Sequence, residues 1–156
     1  TLCGRQRFGC IILGAPGSGK TTALRDMIRL FSERGYRVGV ADERGEISGD
    51  GKFDLGPCSD VITGLSKAES AMLLLRGMNP QIIAMDEITQ SADADAIREL
   101  CCCGVELLAT AHARNADELR RRRVFAQLLD TGAFSYALSI RGAGSARSYE
   151  LEELHV

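Results

Sequence analysis

Residues 14–21, GAPGSGKT, place three glycines ahead of a lysine and a threonine, a spacing suited to holding phosphate. Backbone N–H groups must wrap closely around phosphate oxygens, and Gly14, Gly17 and Gly19 can take backbone angles that residues with a Cβ resist. A helix opening near Lys20 adds free N–H groups and the positive end of its dipole. Lys20 is then expected to reach the β- and γ-phosphates, and the Thr21 hydroxyl to ligate Mg²⁺. The motif G-x-x-x-x-G-K-[ST] is satisfied in full, after a buried strand and at the start of a helix. The chain is therefore expected to bind a nucleoside triphosphate through Gly14, Ala15, Pro16, Gly17, Ser18, Gly19, Lys20, Thr21 and Thr22. ATP and Mg²⁺ are the expected cofactors, although nothing in these residues separates ATP from GTP.

Three further polar groups follow apolar runs. IIAMDE ends with Asp86 and Glu87, and the carboxyl end of a strand is where open α/β sheets place their ligands. Asp86 is expected to hold Mg²⁺ through water, and Glu87 to polarise the attacking water. ADERGEI puts Asp42, Glu43 and Glu46 after another strand, so Glu43 or Glu46 competes with Glu87 as general base. Arg44, between them, is either a phosphate contact or a salt-bridge partner of its neighbours. His112 closes the run VELLATAH; beside the Asp86 strand it would sense the γ-phosphate, with Thr110 as the alternative sensor.

These groups must be positioned by alternating strands and helices, a pattern that reads as an α/β fold with a mainly parallel sheet. Strands are predicted at 7–13, 36–42, 80–87 and 105–112. Helices are predicted at 19–35, 66–78 and 92–103, with further helical segments in 115–131. Leu24, Ile28 and Leu30–Phe31 are expected on one helical face, ended by Gly35. Residues 45–60 read as a long loop, a length that in compact domains is often functional. The segments 132–142 and 146–154 are predicted to form a C-terminal antiparallel pair.

With 156 residues, 45% hydrophobic and 26% charged, the composition is that of one globular domain. A net charge of −2 gives no global reason to expect nucleic acid or an anionic membrane as partner. No apolar run approaches the roughly 20 residues needed to span a bilayer. The expected location is cytoplasmic. Cys101, Cys102 and Cys103 are consecutive, with no C-x-x-C pair for zinc, and read as small apolar fillers of a helix end; a metal site with His112 is the weaker alternative. The start at Thr1 rather than Met reads as a fragment of a longer protein, carrying a single domain over 1–156.

Taken in order, GAPGSGKTT, DERGEI, LLRGMNPQIIAMDEI and TAHARNADEL resemble the phosphate loop, acidic box, Walker B region and histidine box of the secretion-type ATPases. Within that group the chain is most similar to the stage III sporulation AA family of endospore-forming bacteria, over roughly residues 8–141. The resemblance implies a RecA-like (ASCE) P-loop core that assembles as a homo-oligomeric ring, expected to be a hexamer. It also implies ATP hydrolysis that powers a membrane-associated channel or secretion-like complex from the cytosolic side, the mother-cell side for a sporulation protein. The matching positions are Lys20 and Thr21, Glu43 and Glu46, Asp86 and Glu87, and His112. Secretion motors commonly carry Gly-Glu where this chain has Asp86-Glu87, which strengthens Glu87 as base. Thr89-Gln90 and Cys58 stand where the family pattern has a glycine with a basic residue, and an arginine.

Arginines outnumber lysines sixteen to three. The run Arg120–Arg123 is either a solvated helix face, an anionic partner site, or the source of an arginine finger for a neighbouring subunit. Arg76 and Arg141 are further finger candidates. A guanidinium fork suits phosphate oxygens, and such a finger is worth ~10³–10⁵ in rate. Two other readings compete with a ring motor: a small-molecule or nucleotide kinase, and a nucleotide-gated switch. The loop 45–60 lacks the arginines a kinase lid needs, and no nucleic-acid partner is expected.

Overall fold

The computed structural model describes residues 7–154. In chain order the elements are β1 (Cys10–Gly14), α1 (Lys20–Glu33), β2 (Val38–Asp42), β3 (Ser59–Thr63), α2 (Lys67–Met78), β4 (Ile82–Met85), α3 (Ser91–Cys102), β5 (Glu106–Ala111), α4 (Ala116–Arg120), α5 (Arg123–Asp130), β6 (Tyr136–Arg141) and β7 (Ser148–Glu153). The strands form one sheet in the order β3-β2-β4-β5-β1-β6-β7. Every pairing is parallel except β6 with β7.

Strands β1, β2 and β4 are buried along their whole length, so their side chains alternate between two cores. Ile11 and Leu13 of β1 face α2 to α5, packing with Leu74, Ile97, Leu119 and Phe125. Cys10 and Ile12 face the other way, packing with Leu24 and Ile28 of α1 and with Ile47 and Leu55 of the loop after β2. Phe8, Phe31 and Tyr36 close the margin of that second core, the first two stacked with centroids 5.1 Å apart. At roughly 25 cal/mol per Å² of apolar surface removed from water, a sheet buried on both faces is the main source of rigidity for what its strand ends carry.

The expected α/β architecture and the C-terminal antiparallel pair are present. The helical segments expected within 115–131 are present as α4 and α5, separated at Arg121–Arg122. Three details differ. A strand, β3, lies at the sheet edge, beginning in the last two residues of the expected 45–60 loop; SDVIT is mostly exposed and lacks the apolar run that marks an interior strand. Leu30 is 48% exposed and does not share the buried face of α1. Of the cysteine triplet only Cys101 is buried, whereas Cys102 and Cys103 are exposed at the end of α3, where one helical face can point inward and its neighbours cannot.

Among the described residues no helix is long and apolar enough to cross a membrane.

Candidate phosphate and carboxylate site

The parallel sheet brings the ends of β1, β4 and β5 side by side, because β5 lies between β4 and β1. Just beyond those ends stand the glycine loop, Asp86-Glu87, and His112. One cavity of about 470 Å³ is lined by residues of the loop (Pro16, Gly17, Gly19, Lys20, Thr21, Thr22) together with Glu46, Asp86, Glu87, Thr110, His112 and Arg147. A second cavity adjoins it, lined by Asp42, Glu43, Arg44, Glu46, Lys67, Asp86, Glu87 and Thr89.

Gly19 is the N-cap of α1 with φ of 99°, and Gly17 has φ of 75°. Both lie in the left-handed region where a Cβ is strained. Lys20 donates from Nζ to the carbonyls of Gly14 at 2.9 Å and Ala15 at 3.0 Å. Its Nζ also lies 3.3 Å from His112 Nδ1. Burial pushes the Lys20 ammonium below its usual range, with the Glu87 and Asp86 carboxylates pulling part of the way back. An anion at the loop would give this cation a stronger partner than two neutral carbonyls.

The His112 ring continues the line. Its Nε2 lies 2.8 Å from Glu87 Oε1. A lysine ammonium can only donate, so Nδ1 accepts and Nε2 carries the hydrogen that Glu87 receives. Lys20, His112 and Glu87 thus form one connected chain between the phosphate loop and the carboxylate.

Glu87 occupies an unusual backbone state, φ 26°. Its N–H donates to Thr110 Oγ1 at 2.8 Å and to Asp86 Oδ1 at 3.1 Å. The Thr110 hydroxyl donates in turn to Asp86 Oδ1 at 2.7 Å, and the Thr110 carbonyl accepts from Ile88 N–H at 3.0 Å. Thr110 is fully buried, so its hydroxyl is committed to bracing the two acids. Both bonds reach Asp86 at Oδ1, which leaves Oδ2 for other partners.

The acidic group after β2 divides. Asp42 is buried and accepts from Ile47 N–H at 3.0 Å, Ser48 N–H at 2.9 Å and Ser48 Oγ at 2.7 Å. It ties down the loop that carries Glu46. Glu43 pairs with Lys67 at 3.2 Å, and Lys67 lies 3.9 Å from Asp93, the residue whose carboxylate caps the start of α3. Glu46 lines both cavities, and Arg44 lines the second.

The structure therefore brings together Lys20, Thr21, Glu46, Asp86, Glu87 and His112, with Glu43 in the adjoining cavity. Asp86 and Thr21 share a cavity and fit the way Mg²⁺ is ordinarily held, by few protein oxygens with water and phosphate oxygens completing the shell. Among the described residues no three His, Cys, Asp or Glu side chains cluster as a metal site of their own, and the six residues of β5 separate Cys101–Cys103 from His112. None of the arginine candidates lines this cavity, although Arg141 borders a neighbouring one with Gly14, Ala15 and Ser18 of the loop. Arg76 is exposed on α2, Arg120 pairs with Asp117, Arg122 with Glu118, and Arg141 with Glu150. Sequence reasoning does not single out Arg147 in the cavity at the phosphate loop, nor Lys67 in the adjoining one. No local signal marks Arg147, since only the sheet order places the turn GAGSAR over the loop.

Comparison with known proteins agrees with this architecture. The family model described as "Sporulation stage III, protein AA" matches residues 1–147. Stage III sporulation protein AA of Bacillus subtilis (strain 168) is 34% identical over 142 residues, covering 85% of this chain and 46% of that protein. The chain thus spans about half the length of this curated relative. Among solved structures, the VirB11 ATPase of the Brucella suis type IV secretion system superposes with a TM-score of 0.70 at 15% identity, covering 94% of this chain and 48% of that one. The pilus retraction motor PilT with bound ADP gives 0.70 at 20% identity, covering 97% and 49%. The fold is that of the secretion-type P-loop ATPases.

Proposed function

Because the chain belongs to the Sporulation stage III, protein AA family, we propose that it is an Mg²⁺-dependent ATPase acting as a subunit of a ring-shaped motor. The ring, a hexamer, drives a membrane-associated channel or secretion-like assembly in sporulation. It works from the cytoplasmic side, held at the membrane by protein partners. One observation carries the reading: Lys20, Thr21, Glu46, Asp86, Glu87 and His112, drawn from four separate stretches of sequence, line one cavity at the strand ends.

In this reading the triphosphate lies along residues 14–22, its oxygens taken by the loop N–H groups and Lys20. Mg²⁺, held by Thr21 and through water by Asp86, would neutralise charge between the β- and γ-phosphates. Glu87 accepts the proton of the attacking water as the new O–P bond forms and the bond from γ-phosphorus to the bridging oxygen breaks. ADP leaves with that oxygen. His112 holds Glu87 while Lys20 has no phosphate, and loses its Lys20 partner when the ammonium turns to the γ-oxygens. The histidine is thereby a sensor that reports through the carboxylate it grips. Glu46 reaches the same cavity and is the alternative base; Glu43, already paired with Lys67, is worse placed.

Turnover of ATP per subunit, measured across a wide range of protein concentration, tests the reading. A steep rise with concentration that vanishes in Glu87→Gln is expected of a site completed between subunits, for instance by one of the exposed arginines of 120–123. Turnover that is flat with concentration would remove the ring from the proposal, and turnover retained by Glu87→Gln would move the base to Glu46.

A further inference from the structure

We propose that Arg147 binds the nucleotide from within the same chain, its guanidinium gripping phosphate oxygens of the molecule held by residues 14–22. The assignment rests on the ATPase reading above and adds a residue to it. Arg147 follows the short 3-10 turn Gly144–Ala146 that joins β6 to β7. Strand β6 runs beside β1 with Ile140 opposite Gly14, so whatever follows Arg141 overhangs the phosphate loop. Gly142, at φ 79°, lets the chain fold back so tightly that a Cβ there would stand 2.5 Å from the Ala146 carbonyl oxygen. That turn delivers Arg147 onto Gly19. A Cβ built at Gly19 would lie 3.1 Å from both Cζ and Nη1 of the guanidinium. The same side chain lines the cavity with Lys20, Thr21 and Thr22.

The bonding of Arg147 sets it apart. Arg25 donates to the Glu46 and Ile47 carbonyls, and Arg98, Arg120, Arg122 and Arg141 each pair with a carboxylate. Arg147 Nε is buried and has no hydrogen-bond partner among the described residues. None of the ion pairs among them includes Arg147, although Glu46, Asp86 and Glu87 line the same cavity. A buried donor left without a partner is costly. A phosphate oxygen would supply the acceptor, and the planar fork of a guanidinium matches two such oxygens at once.

Calorimetric titration with Mg²⁺ and either ATP or inorganic tripolyphosphate tests the assignment in the wild-type chain, Arg147→Ala, Arg147→Lys and Glu150→Gln. Glu150→Gln breaks the Arg141 pair of the same hairpin and leaves Arg147 in place. Arg147→Ala should weaken both ligands by the same factor, about 10- to 100-fold, with Arg147→Lys recovering part of it and Glu150→Gln within about threefold of wild type. Melting without ligand identifies any variant that fails to fold, and Arg147→Lys then carries the comparison. Unchanged binding in Arg147→Ala would overturn the proposal, as would an equal loss in Glu150→Gln. Loss of ATP but not of tripolyphosphate would put the contact on base or ribose and overturn it too. A wild-type chain that binds neither ligand would sink the ATPase reading itself.

Discussion

Replacing Thr110 by valine tests how Glu87 is held. The hydroxyl donates to Asp86 Oδ1 at 2.7 Å and accepts from Glu87 N–H at 2.8 Å, while the backbone carbonyl of the same residue fixes Ile88. Valine keeps nearly the same shape, so no cavity term arises. The lost bond to a carboxylate is worth about 1.5–3 kcal/mol. The Glu87 N–H keeps Asp86 Oδ1 at 3.1 Å, so its own desolvation cost is only partly exposed. A total of about 2–4 kcal/mol of destabilisation follows, a large share of the roughly 5–15 kcal/mol typical of a domain. The second effect is on position. A non-glycine residue at φ 26° is strained by about 1–3 kcal/mol and stays there only while its surroundings hold it. Without the hydroxyl, Glu87 relaxes, and a shift on the order of 1 Å costs about 10²-fold in turnover. Urea unfolding and ATP turnover at saturating nucleotide give the two numbers, and nucleotide affinity should stay within about threefold. Thr110→Ser should restore most of both. Turnover that survives in Thr110→Val while stability falls by the stated amount would refute the link between this brace and the base.

Two further outcomes follow from buried groups. The Lys20 ammonium is held below its ordinary value of 10.5 by burial, so the folded chain binds fewer protons than the unfolded one in the window just under that value. The sign of linkage then requires wild type to gain stability relative to Lys20→Met as pH rises through that window, read from urea midpoints of both proteins at successive pH values. Burial likewise pushes the Cys10 thiol up to about 11, whereas Cys102 and Cys103 are exposed. Maleimide labelling at mildly alkaline pH followed by peptide mass analysis should therefore mark Cys102 and Cys103 quickly and leave Cys10 unmarked until the chain is unfolded.

Residues that act through local spacing are legible in the amino-acid sequence alone. The phosphate loop is a run of consecutive positions, and the strand-helix punctuation around it is set by apolar runs and glycine stops, so Lys20 and Thr21 can be placed without knowing the sheet. Asp86, Glu87 and His112 are legible for a related reason, since each follows an apolar run and parallel strands put such ends on one side. What stays hidden depends on contacts between distant segments. Asp42 reads like its acidic neighbours, yet its three hydrogen bonds make it an anchor for the loop that brings Glu46 to the cavity. Thr110 reads as the alternative sensor at a strand end, yet only the pairing of β4 with β5 sets its hydroxyl against Asp86. Arg147 belongs to no local pattern that points at phosphate. Its place over Gly19 needs β6 beside β1 and a hairpin that turns back across the loop, two facts about the sheet rather than about any stretch of sequence.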